Sequence, residues 1–212
     1  MTWGQRERSE TRPSYRRGMR FDLLFDDLEA QLEAEHAATA AGELVEHERL
    51  RAARTTLRDR IAVLAMAPAA IRVRLTDDAP IELVPTSVGR DWFAAELPGA
   101  GEAIVPIAAV RGIVIDEAQL GASRERMPEA APRAGLSARL GVGVVLRDLA
   151  RRRVALDVMS PGEAAPVHGT IDRVGSDHFD LAVHERGSTP RASGVHEHRI
   201  VSLAAVAFLR LG

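Results

Sequence analysis

The sequence predicts an α+β chain, a helical arm followed by two copies of one small β-barrel. Three observations carry that expectation. The first is an internal repeat: Val88, Gly89, Asp91 and Phe93 return as Val174, Gly175, Asp177 and Phe179, Ile104–Val110 returns as Ile200–Val206, and Leu57-Arg58-Asp59 returns as Leu146-Arg147-Asp148. Chance supplies one such match, but three in the same order mark a duplication. The second is an apolar stripe, Phe21, Leu24, Phe25, Leu28 and Leu32, whose offsets of three and four place it on one face of a helix. The third is a series of short strand-like runs separated by turn residues, the pattern of small barrels.

Residues 1–19 are polar, Arg-rich and without period, and read as a disordered tail. Met19 stands directly before the patterned segment and is a candidate natural start. Residues 20–67 form the predicted arm. Its acidic side chains crowd the early turns and its basic ones the later turns, matching the two ends of a helix dipole. Thr39–Gly42 weakens the middle, so the arm is one long helix or two with a break there, and Pro68 ends it. The stripe either folds back on the barrels or meets a partner, a second copy of the chain included. Phe21, Leu24, Phe25, Leu28 and Leu32 are therefore the expected interface residues.

Residues 68–116 form the first barrel, with runs Ile71–Leu75, Ile81–Val88, Trp92–Leu97, Ile104–Ile107 and Val110–Ile115. Gly89 and its counterpart Gly175 lie between strand-like runs, where a residue tolerating positive φ is expected. Residues 117–138 hold Pro and Gly among many Ala with no apolar period, and read as a linker. Residues 139–212 repeat the unit as a helix and a second barrel, with about ten extra residues between His184 and His198 that read as an exposed hairpin loop. Phe93 and Phe179 are repeat-equivalent and expected in the cores. Trp92, aligned with His178, is expected to be exposed.

A helix before five short, bent strands resembles the Sm-like arrangement within the SH3-like barrels. Val73-Arg74-Leu75 as first strand, Arg111-Gly112 after the fourth, and Val167-His168-Gly169-Thr170-Ile171 carry the resemblance, which covers about 140 residues. Leu83 replaces the strand glycine in the first copy, and Ala207-Phe208 replaces Arg-Gly in the second. The resemblance implies RNA binding, although the residues that would contact RNA are largely missing. Arg20–Glu29 is also similar to the opening stretch of a group of uncharacterised actinobacterial proteins, some labelled Fis-type transcriptional regulators. Ile200–Leu211 reads as strand here, not as a helix-turn-helix.

Composition narrows the function. There is no Cys, hence no disulfide or thiolate zinc site. The net charge of −2 gives no global basic field, although all 28 basic side chains are Arg, the residue suited to phosphate and carboxylate. No apolar run approaches the length of a membrane span and the opening residues lack a secretory pattern, so a cytoplasmic protein is expected. Gly-rich phosphate loops, nucleophile elbows and HExxH motifs are missing, which argues against an enzyme and implies no cofactor.

Three site readings remain. Asp91 and Asp177 are equivalent turn acids, expected to cap their own backbone rather than to move protons. His184, His196 and His198 could form a metal trio across a hairpin, the basis of a metal-responsive module. Arg147, Arg151, Arg152 and Arg153 make the densest basic cluster, the footprint of a nucleic-acid-associated regulator. The preferred expectation is a non-enzymatic binding or scaffold protein acting through protein–protein contacts.

Overall fold

The computed structural model describes residues 18–67, 69–75, 80–125, 136–187 and 194–211. The expected tail, 1–19, lies almost wholly outside them. The chain divides into two units, one ending at Arg54 and one running Thr55–Gly212.

The first unit holds α1, Gly18–Arg54, a helix of 37 residues whose described side chains, from Phe25 onward, are all exposed. Glu, Leu, Ala and Arg supply most of its length, all good helix formers. The expected weakness at Thr39–Gly42 does not break it. Thr39 remains helical, and its hydroxyl donates to the Glu35 carbonyl one turn back at 2.8 Å. The break falls instead at Thr55–Thr56. Thr56 has extended backbone (φ −93°, ψ 159°) and opens α2, Leu57–Met66, with a capping box. Its Oγ1 accepts from the Asp59 amide at 3.2 Å, while the Asp59 carboxylate accepts from the Thr56 amide at 3.1 Å.

The second unit begins with α2 and continues as β1 (Ile71–Arg74), β2 (Ile81–Val88), β3 (Trp92–Leu97), β4 (Gly101–Pro106), a 3-10 turn at Ile107–Ala109 and β5 (Gly112–Val114). Helices α3 (Glu117–Glu125) and α4 (Leu136–Arg139) follow. The repeat then resumes with α5 (Val142–Arg151), β6 (Ala155–Met159), β7 (Val167–Val174), β8 (His178–His184), β9 (Val195–Ser202), a 3-10 turn at Leu203–Ala205 and β10 (Phe208–Leu211). The duplication extends to detail. The Ala-Ala-Val steps form the matching 3-10 turns, and bulges interrupt the ladders at Pro85/Ser87 and at Ile171/Arg173.

The α+β class and the helix-first order hold, but the strands do not close into two barrels. They form one antiparallel ten-stranded sheet in the order β5-β1-β2-β3-β4-β10-β6-β7-β8-β9. The reason lies at its centre. β4 and β10 pair with each other, Ile104 opposite Leu209, so the end of each half satisfies its backbone on the other half.

Two cores flank this joint. Ile61, Val73, Leu83, Phe93 and Val105 fill one, with Ala207 added from the second copy. Leu146, Leu156, Ile171, Phe179 and Leu209 fill the other, with Trp92 and Ile104 added from the first copy. Phe93 and Phe179 are fully buried, as repeat equivalence predicts. Trp92 departs from expectation: it is 7% exposed, and its indole N–H donates to the Leu140 carbonyl at 2.9 Å. Gly89 and Gly175 also serve a different need. Neither has positive φ; a Cβ on Gly89 would lie 2.1 Å from the Trp92 ring, and one on Gly175 would lie 2.6 Å from the His178 ring. Close approach of the following ring selects glycine at both turns.

The segment expected as a linker begins with a helix. Asp116 and Gln119 cap α3 reciprocally, at 2.7 and 3.0 Å. Arg60 of α2 donates to the fully buried Ser123 at 2.6 Å. The contact is polar, so no apolar period announces it.

Candidate functional site

The sheet register assembles the one strongly charged group buried in the second unit's described residues. Asp157 of β6 stands opposite His168 of β7 and opposite Arg210 of β10, so three cross-strand neighbours share a face. Its carboxylate is 5% exposed and accepts from Arg210 Nε at 3.0 Å, from Arg186 at 2.8 Å and from His168 Nδ1 at 2.8 Å. Burial by itself would raise the carboxyl. The hydrogen bonds from Arg210 and His168, with the attraction of Arg186 and Arg210, outweigh it and hold Asp157 below the usual carboxylate range. An anion stabilised in this way is a poor proton acceptor. It ties β10, β6, β7 and the turn after β8 together.

His184 adjoins this group, its ring edge-on to His168 with centroids 5.1 Å apart. It is 3% exposed. Nδ1 lies 3.0 Å from the Glu185 carbonyl, which can only accept, so Nδ1 carries the proton. Nε2 lies 2.8 Å from the Thr170 hydroxyl, in hydrogen-bond contact. His196 and His198 lie on the exposed β9, His196 4.0 Å from Glu185 and His198 3.9 Å from Asp172. The three expected metal ligands are therefore not brought together, and among the described residues no group of three His, Asp or Glu is arranged to hold a metal ion. Of the expected hairpin loop, residues 188–193 lie outside the described residues, and both of its ends are strand.

The basic cluster sits at the end of α5 among carboxylates. Arg151 and Arg152 both bond Asp148, at 2.6 and 2.9 Å, and Arg153 pairs with Asp172. Arg147 turns to the Gly175 carbonyl at 3.4 Å, as its counterpart Arg58 turns to the Gly89 carbonyl at 2.8 Å. Of the stripe on α1, the side chains of Phe21 and Leu24 lie outside the described residues. Phe25, Leu28 and Leu32 are 59%, 45% and 54% exposed.

The two turn acids take different roles. Asp91 accepts from the Val142 amide at 2.7 Å and so caps α5, whose own N-cap residue is Gly141. The expectation that it caps its own backbone is replaced by a contact between the copies. Asp177 is 85% exposed and accepts from its neighbour His178 at 2.7 Å, which holds its carboxyl below the ordinary value.

No family model, curated protein or solved structure matches this chain. Two features escaped the sequence reading. The Asp157 group had one signal, a lone acid inside the apolar run Ala155–Met159. The β4–β10 joint had none, because pairing across about a hundred residues leaves no local pattern.

Among the described residues, no helix is long and apolar enough to cross a membrane.

Proposed function

We propose that this chain is a non-enzymatic binding or scaffold protein that acts through protein–protein contacts. The observation that carries the reading is α1, which leaves Phe25, Leu28 and Leu32 exposed along one stripe. Each is large and apolar, and their offsets align them for a groove or a second helix. The internal pairing of the ionisable groups supports the same reading. Asp148 and Asp172 lie against the exposed Arg151–Arg153 cluster and offset its positive field, which favours protein contact over nucleic acid as the role of this chain.

The two halves also have the makings of degenerate Sm/SH3-like units, opened into a shared sheet. The recurrent order, a helix and then five strands with the fifth beside the first, supports that ancestry.

The test is Leu28→Asp combined with Leu32→Asp in the full chain. The far-UV spectrum should persist, while self-association or capture of a protein partner is lost. Unchanged mass and unchanged partner binding would remove α1 as the interface.

A further inference from the structure

Within the chain, the two halves meet through a joint with two parts. β4 pairs with β10, Ile104 opposite Leu209 and Ala103 opposite Arg210. Beside that pairing, Trp92 and Ile104 of the first copy pack with Leu146 of the second in one core. Each half therefore presents two different faces: a fourth-strand face, used here by the first copy, and a fifth-strand face, used here by the second.

The repeat gives each half the face that it does not use in this joint. The fourth strand of the second copy is β9, and the fifth strand of the first copy is β5. Both are sheet edges, β9 pairing only with β8 and β5 only with β1 among the described residues. The apolar side chains on these faces are uncovered where their counterparts are covered. Ile200 of β9 is 78% exposed, whereas its counterpart Ile104 is 4% exposed. Leu57 is 40% exposed and its counterpart Leu146 fully buried. Val114 at the β5 edge is 43% exposed. An edge strand of eight residues with an outward Ile is a template for another strand, and its early charges, His196 to Arg199, do not extend to Ile200.

We propose that the β9 edge of one chain pairs with the β5 edge of a second copy, repeating between chains the joint that β4 and β10 make within one. This deepens the protein-contact reading by naming the partner, and it stands on the sheet rather than on α1. The intrachain register carries over: Ile200 faces Ile113 of the second copy, and Arg199 faces Val114. The contact is heterologous, each chain giving one face and receiving the other, so the assembly grows head to tail until it closes. The copy-2 face carries His178 and Asp180 where the first copy has Trp92 and Ala94, which makes the interchain joint more polar than the internal one. It is thus the weaker joint, and its occupancy depends on concentration.

The experiment uses the full chain and light scattering with sedimentation across a wide concentration range. Ile200→Lys blocks one face, and the new cation lies opposite Asp180, which helps the fold to persist. Val114→Lys blocks the other, its cation facing Arg199 of the second copy; its neighbour within the chain, Arg72, is exposed, so water screens that pair. Wild type should exceed the monomer mass. Each variant should associate roughly tenfold or more weakly, the scale of losing one buried aliphatic contact. Mixing the two should restore a one-to-one pair, because each chain keeps the edge that the other has lost. Ile200→Val should behave as wild type. Should Ile200→Lys lose the wild-type circular dichroism spectrum, Ile200→Thr carries the test.

A wild type that is monomeric throughout, edge variants of unchanged mass, or a mixture that restores nothing would each overturn the proposal. Dissociation by Leu28→Asp with Leu32→Asp alone, the edge variants remaining assembled, would overturn it while leaving the α1 reading intact. Dissociation by the edge variants alone, with restoration on mixing, supports it and removes α1 as the self-association surface.

Discussion

Replacing Asp157 by Asn tests the buried charge group most directly. The carboxylate is 5% exposed and receives Arg210, Arg186 and His168. Asn keeps the shape but loses the charge, and its amide NH2 would face one of three donors. Breaking a fully buried pair costs about 3–5 kcal/mol, because an uncompensated charge is left behind. Arg210 and Arg186 are 27% and 57% exposed, so water recovers part of that loss and about 2–3 kcal/mol is expected. For a unit of this size that lowers the melting temperature by roughly 4–12 °C. Calorimetry at neutral pH reads it, with Arg186→Ala as a control expected to cost about 1 kcal/mol or less. The pH dependence supplies a second reading with a fixed sign. The folded carboxyl lies below its ordinary value, so its contribution is fully present above the unfolded value of about 4. It is lost as pH falls through the folded value. Asp157→Asn should therefore flatten the acid limb of stability below about pH 4 and leave the neutral-to-alkaline slope unchanged. A melting temperature within 1–2 °C of wild type, about the effect of a surface substitution, would refute the view that this group rivets four segments together.

Two further predictions follow from turns and caps. Gly89→Ala places a methyl 2.1 Å from the Trp92 ring, so the ring must leave its site against Leu140; overpacking should cost about 1–3 kcal/mol and shift tryptophan emission to the red, and an unchanged spectrum and melt would sink the close-approach argument. Thr56→Ala removes the capping box that starts α2 and should cost about 1 kcal/mol in denaturant titration, whereas Thr56→Ser should be nearly neutral.

Much of this was legible locally. Phe93 and Phe179 were placed in the cores by equivalence alone, since two copies of one unit bury the same position. The strands were readable because alternation and turn residues act over a few neighbours. Other elements were not. Of the two forms open for the arm, one helix runs unbroken through Thr39–Gly42, and the break falls at Thr55–Thr56, where the reciprocal bonds of Thr56 and Asp59 start a new helix. α3 was missed because it docks through Arg60 and Ser123 rather than through an apolar stripe. His184 looked like a ligand beside His196 and His198, yet the carbonyl of Glu185 and the hydroxyl of Thr170 occupy its two nitrogens.

The sequence by itself determined the duplication, the helix-first order and the strands of each copy, since these rest on periodicity and on residues a few positions apart. Only the tertiary structure decided that the copies share one open sheet, that Trp92 is buried in its neighbour's core and that Asp157 lies between Arg210 and His168. Those outcomes depend on which strand edges find each other across the chain. An edge offers the same N–H and C=O groups whatever its side chains, so its choice of partner is settled by the packing of whole units.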